Sequence, residues 1–451
     1  MTVAETVADW LASLSPDDVP GEGVETARRL FIDVAGLCIA ARHEPYVTAT
    51  LGAVDAGVCT VFGNPGSFDA FGASLVNGTA AHGEDFDDTF EGGPVHSGAV
   101  IIPAVLAACE RERLDGGRFL VGTAAGVELM CRMSLVAPMA THNAGFHPTA
   151  VFGALAAAGA VAAALRLPPS TAASALGIAG SMASGIIEYL TEGTWTKRMH
   201  AGWAAQSGIR AALMARSGFI GPRTVFDGRN SVYRAFAPSV KPNFEPLVGD
   251  LGSRWVLPTI AFKPYPCGTM VQPFVDCAMK LAADGVRADE VREIVCKVGE
   301  GTVPRLWEPL SDKHRPPTPY AAKFSTPFCM AIGFVGRKLG LAQFSEESIR
   351  NPEALGLAAK IRYEINPGDE YPRKFTGHLK ATLKDGTFRE YRQPFMRGGA
   401  ESPLSDPELE SKFMENARYG GWATAAAERL LAAARTLFTQ PTLGVLEEFR
   451  G

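Results

Sequence analysis

The segment VFGALAAAGAVAAALRL, residues 151–167, decides the fold of this chain. It carries no charge before Arg166, and it consists mainly of Ala and Gly rather than Leu and Ile. Its uncharged part is shorter than the roughly 20 apolar residues that span a bilayer. Small side chains allow neighbouring helices to pack closely. The segment therefore predicts a helix that is buried on all sides inside a large helical domain.

The pattern on either side of this segment predicts two domains. Apolar residues recur at helical spacing over most of the first 260 residues and again in the last fifty. Between them, residues 291–301 and 359–368 alternate like strands, and residues 377–395 form two alternating runs joined at Asp385-Gly386, a hairpin signal. We expect a mostly α fold. Residues 1–261 and 396–451 form a large all-helical domain, and residues 262–395 form a smaller inserted α+β lid domain.

Composition excludes several classes of protein. A net charge of −5 and a pI near 6.0 argue against a general nucleic-acid binder. The N-terminal sequence lacks the basic region of a signal peptide. The eight cysteines are scattered without a C-x-x-C pair, which disfavours an iron–sulfur cluster or a cysteine-rich zinc site. We expect a cytoplasmic protein with reduced thiols that binds neither nucleic acid nor membrane.

The segment AHGEDFDDTFEGGPVHSGA, residues 81–99, places five acidic residues between two histidines. Carboxylates that cap a solvated turn are one interpretation. A Mg²⁺–diphosphate site of the terpenoid-cyclase type is another, because DDTFE matches D-D-x-x-E, but the second metal motif of such enzymes is missing. A zinc site of His82, Asp85 and His96 lacks the spacing of four residues that pairs histidines on a helix. A proton-transfer site is the fourth interpretation of this segment.

Other chemical residues stand near predicted helix starts. His147 directly precedes Pro148, and a helix N-terminus attracts anions and lowers the pKa of a nearby histidine. Lys197 and His200 are three residues apart and share a helix face. A lysine in the first turn opposes the helix dipole unless it meets a bound anion. Lys263 lies in the irregular FKPYPCGTM segment. Each of these residues is also compatible with a capping, core or linker role.

Together these residues suit proton transfer on a carboxylate-rich substrate. Cations bind the carboxylates and stabilise the enolate that forms when a Cα proton leaves, while a histidine or aspartate moves the proton. The sequence contains no nucleotide-binding loop and no nucleophile elbow.

Five motifs in the same order resemble the MmgE/PrpD family, which includes 2-methylcitrate dehydratase, cis-aconitate decarboxylase and iminodisuccinate epimerase. The motifs are NGTAAHGEDFDDTF with HSGAVIIPA, GFHPTAVFGALAAA, TKRMHAGWAAQSG, KPYPCG, and AKFSTPF followed by AI. The resemblance runs almost from end to end. It implies the helical domain with an inserted lid, a homodimer, and cofactor-independent chemistry in the cleft between the domains.

The resemblance also assigns the site. We expect the catalytic residues His147, His96, Asp85 and Lys197, the substrate-binding residues Thr89, His200, Lys263 and Lys323, no bound metal and no cofactor. Two positions depart from the decarboxylase pattern. Gly268 replaces a histidine and Phe328 replaces a tyrosine, which disfavours decarboxylation of the itaconate-forming type. The spacing between Asp85 and His96 is also one residue longer than in the decarboxylase.

The function expected from the sequence is proton abstraction α to a carboxylate of a small di- or tricarboxylate. A hydro-lyase similar to 2-methylcitrate dehydratase comes first. The alternatives are an epimerase or isomerase of the iminodisuccinate epimerase type, then a decarboxylase of the cis-aconitate type, and finally a non-catalytic dimeric binding protein.

Overall fold

A computed structural model describes all 451 residues and divides them into two compact units. The first unit contains residues 1–83, 87–260 and 406–451, and the second contains residues 84–86 and 261–405. The predicted mostly α fold, with a helical unit built from both chain ends and an inserted α+β unit, is confirmed. The boundaries differ from 262 and 395: the second unit extends to residue 405 and also includes residues 84–86 of the acidic segment.

The part of the first unit before residue 261 is helical apart from one short strand, β1 (Ala56–Cys59). Its helices are α1 (Val3–Ser13), α2 (Gly21–Ala41), α3 (Pro45–Leu51), α4 (Ala70–Gly83), α5 (Gly98–Glu112), α6 (Gly116–Val136), α7 (Ala140–Asn143), α8 (Pro148–Ala164), α9 (Pro169–Met182), α10 (Tyr189–Glu192), α11 (Thr196–Arg216), α12 (Val232–Phe236) and α13 (Glu245–Val248). Of these, α6 has the length and composition of a membrane span, yet 94% of its apolar window is buried inside the structure, as in a core helix.

Helix α8 is the centre of the first unit. Each of its 17 residues is buried, so the predicted burial on all sides is confirmed. It packs against α5, α6, α9 and α11. Pro148 begins the helix, where a missing backbone N–H costs nothing, and His147 is its N-cap residue.

Helices α4 and α11 approach so closely that glycine is needed at their contact. A Cβ atom added to Gly202 would lie 2.1 Å from the carbonyl oxygen of Leu75, and one added to Gly78 would lie 2.5 Å from the Cα atom of Gly202. Gly78 lies one turn before His82, and Gly202 lies two residues after His200. This backbone contact therefore sets the distance between two helices that carry histidines.

The second unit contains a four-stranded sheet with short helices. Its elements are α14 (Gln272–Ala283), β2 (Val291–Val298), α15 (Val303–Leu306), α16 (Leu310–His314), α17 (Pro319–Ala322), α18 (Thr326–Gly336), α19 (Pro352–Ala358), β3 (Ile361–Ile365), β4 (Gly377–Leu383) and β5 (Phe388–Gln393). The strand order is β3-β2-β4-β5, with β2 and β3 parallel and the other pairs antiparallel. The hairpin predicted at Asp385-Gly386 joins β4 to β5. Alternate residues of β4 are buried, as the alternating sequence predicts.

The C-terminal helices α20 (Asp406–Tyr419) and α21 (Thr424–Thr436) return to the first unit and pack against α2. A buried ion pair joins Lys412 of α20 to Asp33 of α2, with 2.7 Å between Nζ and Oδ1. Phe413 covers Gly36, where an added Cβ atom would lie 2.8 Å from the phenyl ring. The two ends of the chain therefore build one helical core.

We predict that Gly202→Ala destabilises the first unit, because the new methyl group would overlap the backbone of α4. Overpacking of this kind costs about 1–3 kcal/mol, which a lower midpoint of thermal unfolding would show. Gly21→Ala is the control, since an added Cβ atom there has nothing within 4 Å. A Gly202→Ala protein that unfolds at the same temperature as the control would contradict the close packing of α4 and α11.

Candidate active site

Four histidines of the first unit lie together where helices begin or end. His82 is the penultimate residue of α4, His96 precedes α5, His147 caps α8, and His200 lies near the start of α11. The ring of His82 stacks on that of His147, with 5.5 Å between centroids and 22° between planes. The His96 ring is 5.0 Å from His82, and the His200 ring is 5.3 Å from His147. The structure thus brings together the three histidines that the sequence singled out and adds a fourth.

His147 is fixed by both its backbone and its ring. Its backbone N–H donates to the carbonyl oxygen of Gly185 at 2.8 Å, and its Nδ1 is 3.1 Å from the Nδ1 of His200. One ring must donate in that pair, so the two histidines hold complementary tautomers. Gly185 has φ +108, and a Cβ atom there would lie 2.5 Å from Ala150 at the start of α8. Only glycine allows this approach.

Asp87 connects two of the histidines. Its Oδ2 accepts a hydrogen bond from Nδ1 of His82 at 2.7 Å, and neither side chain has any exposed surface. Its Oδ1 is 3.7 Å from Nδ1 of His96. That same Nδ1 donates to the backbone carbonyl oxygen of Asp88 at 2.7 Å. Asp85 was the carboxylate expected among the catalytic residues; within the first unit, Asp87 has the geometry to orient a histidine.

Asp88 anchors the acidic segment to the start of α5. Its carboxylate accepts from the backbone N–H and hydroxyl of Ser97, at 3.0 and 2.9 Å, and from the N–H of Gly98 at 2.8 Å. Burial, followed by the nearby charge of Asp87, raises the pKa of Asp88 to about 7. Since the carboxylates of Asp87 and Asp88 have no exposed surface, they do not lie in a solvated turn. Asp88 nevertheless caps backbone N–H groups, as the interpretation of the segment as a capping turn proposed.

Burial keeps two of the histidines neutral. The pKa of His147 lies well below its ordinary value of 6.5, because the ring is buried and because positive charge on His82, His200 and Lys197 opposes protonation. Burial lowers the pKa of His200 to about 4, with smaller contributions from His82 and Lys197. The sequence attributed a low pKa at His147 to the helix N-terminus; the larger cause is burial. A neutral imidazole can accept a proton at pH 7.

Lys197 and Arg198 are adjacent in the sequence but have different surroundings. Lys197 is buried near the start of α11, and its charge acts on both His147 and His200. The guanidinium of Arg198 lies over the ring of Tyr46, 4.3 Å from its centroid. The cation that accompanies the histidines is therefore Lys197.

Within the second unit, the two other predicted lysines bind carboxylates of the acidic segment. The ammonium group of Lys263 is 2.7 Å from Oδ1 of Asp85 and 3.0 Å from its carbonyl oxygen. Lys323 contacts the carboxylate of Glu84 and, at 2.8 Å, its carbonyl oxygen. Both lysines are buried. Asp85 has the left-handed backbone conformation, with φ +57.

The remaining predicted residue and the residues that were missed also lie in the first unit. Thr89 is buried next to Asp88. Asp87 and Tyr189 were missed, and His82 was considered only as a metal ligand. The ring of Tyr189 lies 5.7 Å from His200 and 6.3 Å from His147. Tyr189 stands in no motif, and the five-residue spacing from His82 to Asp87 follows no helical or strand period, so neither had a clear signal.

Two family models cover most of the chain. The MmgE/PrpD N-terminal domain matches residues 5–245, and the MmgE/PrpD C-terminal domain matches residues 265–437. The chain belongs to the MmgE/PrpD family. The C-terminal family domain extends beyond the second structural unit, because its last residues form α20 and α21 in the first unit.

Curated relatives in the MmgE/PrpD family match over most of their length. Cis-aconitate decarboxylase-like protein oryM of Aspergillus oryzae is 26% identical over 91% of this chain and 89% of its own. Cis-aconitate decarboxylase of Aspergillus terreus is 28% identical over 80% of this chain and 77% of its own. The Homo sapiens cis-aconitate decarboxylase is 26% identical over 92% of this chain and 88% of its own.

The two departures from the decarboxylase pattern of the MmgE/PrpD family fall in the second unit. Phe328 is fully buried in the hydrophobic core of that unit, with its ring 6.4 Å from Phe344. Gly268 donates its N–H to the carbonyl oxygen of Lys323 at 3.0 Å. A Cβ atom at Gly268 would make only ordinary contacts, so space does not require glycine there. Phe328 packs as a core residue and offers no hydroxyl.

Three of these side chains have the donor set of a metal site. One donor atom each from His82, Asp87 and His96 lies within 4.8 Å of the others. Two histidines and one carboxylate suit zinc or iron(II). The zinc hypothesis named Asp85 in place of Asp87. Because both Nδ1 atoms donate hydrogen bonds to oxygen, a metal bound through them would have to displace these protons. In the structure His82 is hydrogen-bonded to Asp87, and His96 to the carbonyl oxygen of Asp88.

We predict that His200→Asn and Asp88→Asn change the pH dependence of stability in opposite directions. A pKa of about 4 in the folded state means that the unfolded state binds more protons at His200, so stability falls as the pH drops from 6.5 towards 4. A pKa of about 7 at Asp88 means that the folded state binds more protons, so stability rises as the pH drops from 7.

Thermal unfolding between pH 8 and 5 tests this pair. In His200→Asn the unfolding midpoint should fall less steeply towards acid pH than in the wild type, and in Asp88→Asn it should fall more steeply. The same dependence of the unfolding midpoint on pH in both variants and in the wild type would contradict the pKa shifts.

Proposed function

We propose that this chain is a lyase that moves a proton at the carbon α to a carboxylate of a small di- or tricarboxylate. The observation that carries the proposal is the contrast between two neighbouring histidines. His147 is buried and held neutral, whereas His96 stands beside the carboxylate of Asp87. Two groups with such different surroundings suit a general base and a general acid. The family and its decarboxylase relatives support a lyase.

In the proposed dehydration, His147 accepts the Cα proton and the electron pair moves into the substrate carboxylate as an enolate. The enolate then forms the Cα–Cβ double bond, and the hydroxyl on Cβ leaves as water after taking a proton from His96. The charge of Lys197 stabilises the carboxylate as negative charge develops. Thr89 and His200 contact the substrate in this proposal. A proton-relay role for Asp85 stays a prediction from the sequence, since its carboxylate contacts Lys263 within the second unit.

A direct substrate-binding role for Lys263 and Lys323 stays a prediction. Their ammonium groups contact Asp85 and Glu84. Substrate carboxylates would have to share these lysines with the protein's own carboxylates. Lys197 is therefore the first candidate for holding a substrate carboxylate.

A hydro-lyase of the 2-methylcitrate dehydratase type is the first choice of reaction. Gly268 and Phe328 favour it, because both positions lack the proton-donating side chains of the decarboxylase pattern. Decarboxylation of the cis-aconitate type is the second candidate, favoured by the names of the curated relatives. In that reaction carbon dioxide leaves and the same acid protonates the carbon. Epimerisation uses the same enolate, with the proton returned to the opposite face.

A cytoplasmic homodimer completes the proposal. Trp195, Met199 and Trp203 follow each other at intervals of four residues along α11 and are exposed, at 50%, 37% and 43%. A stripe of large apolar side chains on a surface is typical of a protein–protein interface. A second copy of the chain would cover it.

We predict that the wild-type protein exchanges Cα protons in D₂O after dialysis against EDTA. The trial substrates are citrate, 2-methylcitrate, cis-aconitate and aminosuccinates, and NMR detects deuterium at Cα and any new product. Exchange is expected because a neutral histidine and a lysine lie together in the buried cluster. Absence of both exchange and turnover with every acid would contradict the proposed function. Activity that appears only on addition of zinc or iron(II) would revive the metal interpretation of the trio.

We predict different losses from the two central histidines. His147→Gln removes the base and should abolish Cα exchange, whereas His96→Gln removes the acid and should keep exchange but lose net product. His378→Gln is the control, since His378 lies in β4 of the second unit and contacts Glu390. Exchange that survives in the His147 variant and vanishes in the His96 variant would reverse the roles.

A further inference from the structure

His82 and Asp87 form a buried pair that the proposed reaction does not use. An ionised carboxylate can only accept hydrogen bonds, so Nδ1 of His82 carries the hydrogen in the 2.7 Å contact with Asp87. The other ring nitrogen, Nε2, is buried and has no hydrogen-bond partner. An unpaired buried polar atom is unfavourable for stability. Buried polar atoms without a partner are uncommon in folded proteins, so the placement of this ring calls for an explanation.

The ring of His82 is placed between the two histidines of the proposed reaction. It stacks on His147 with an interplanar angle of 22°, and its centroid is 5.0 Å from that of His96. A rotation of the His82 ring would therefore disturb both neighbours. The hydrogen bond from Nδ1 to Asp87 is the contact that prevents this rotation.

Asp87 also controls which nitrogen of His96 faces a reactant. The Nδ1 of His96 is surrounded by two acceptors, the carbonyl oxygen of Asp88 at 2.7 Å and Oδ1 of Asp87 at 3.7 Å. Acceptors on this side keep the hydrogen on Nδ1. The Nε2 atom of His96 is thus left to exchange a proton with a substrate. One carboxylate fixes the ring orientation of two histidines.

We propose that Asp87 is a positioning residue for proton transfer, holding His82 against His147 and fixing His96 with Nε2 as its reactive atom. The proposal rests on the function proposed above. Asp87 touches no substrate in it, and it acts through the two rings that it contacts. Outer hydrogen-bond partners of functional histidines fix tautomer and orientation in the same manner at metal sites.

The first test is spectroscopic and needs no substrate. In protein labelled with ¹⁵N at histidine, the neutral rings of His82 and His96 are expected to carry their hydrogen on Nδ1. A neutral ring of His82 or His96 that carries its hydrogen on Nε2 in the wild type would overturn the proposal, whatever the variants do. This measurement stays decisive if no trial substrate reacts, so it separates the failure of this inference from the failure of the proposed function.

The second test is Asp87→Asn, which keeps the volume but removes the charge and offers a donor as well as an acceptor. The His82 tautomer is expected to change, and kcat for product formation is expected to fall by about tenfold or more, as for other outer partners of functional histidines. KM is expected to change much less. Unchanged tautomers with a reduced kcat would show that Asp87 has a structural role only, and unchanged kcat would also overturn the proposal.

Glu110→Gln is the matched control. Glu110 is a partly buried carboxylate of the first unit, and it accepts from the backbone N–H of Thr60 at 2.8 Å and from its hydroxyl. Its replacement removes a hydrogen-bonded carboxylate without touching a histidine. Wild-type tautomers and kcat are expected. A loss of kcat in Glu110→Gln equal to that in Asp87→Asn would mean that removal of any hydrogen-bonded carboxylate of the first unit has the same effect, and it would overturn the specific role of Asp87.

Discussion

The close packing of helices made of small residues is the constraint on which the rest of the first unit depends. Helix α8 is buried along its whole length, and α4 and α11 touch through Gly78 and Gly202. Where these helices touch through glycine there is no room for a larger side chain, and the four histidines lie near the helix ends. The histidine cluster occupies such a place.

Burial in this closely packed interior also shifts the pKa values of the ionisable side chains. The interior disfavours a charged imidazole, so His147 and His200 stay neutral at pH 7. The same burial raises the pKa of Asp88, although three hydrogen bonds from Ser97 and Gly98 favour its ionised form. The proposed base, the proposed acid and the anchor at Asp88 thus differ mainly in their surroundings.

Sequence periodicity was enough to predict the regular parts of the structure. The small-residue pattern of 151–167 predicted the buried α8, and alternation with Asp385-Gly386 predicted the hairpin of β4 and β5. The spacing of three residues between Lys197 and His200 predicted a shared helix face, and both residues are buried in α11. In each case the regular repeat of a helix or strand allows the spacing of residues in the sequence to predict the side on which their side chains lie.

The acidic segment could not be predicted in this way, because it has no period. Asp85, with φ +57, lies in the second unit beside Lys263, whereas Asp87 lies in the first unit beside His82. Asp85 and Asp87 are two positions apart in the sequence, and only the course of the backbone decides which carboxylate contacts a histidine. The ion pair of Lys323 with Glu84 depends on the same path and had no sequence signal.

The central claim is that His147 is a neutral base at physiological pH. The most direct measurement follows the ring carbon resonances of ¹³C-labelled histidine in the substrate-free protein between pH 8 and 5, with the His147 signal assigned by its loss in His147→Gln. The account predicts that His147 stays neutral through pH 6.5 and takes up a proton only well below that pH. A His147 ring that is protonated at pH 7 would contradict it.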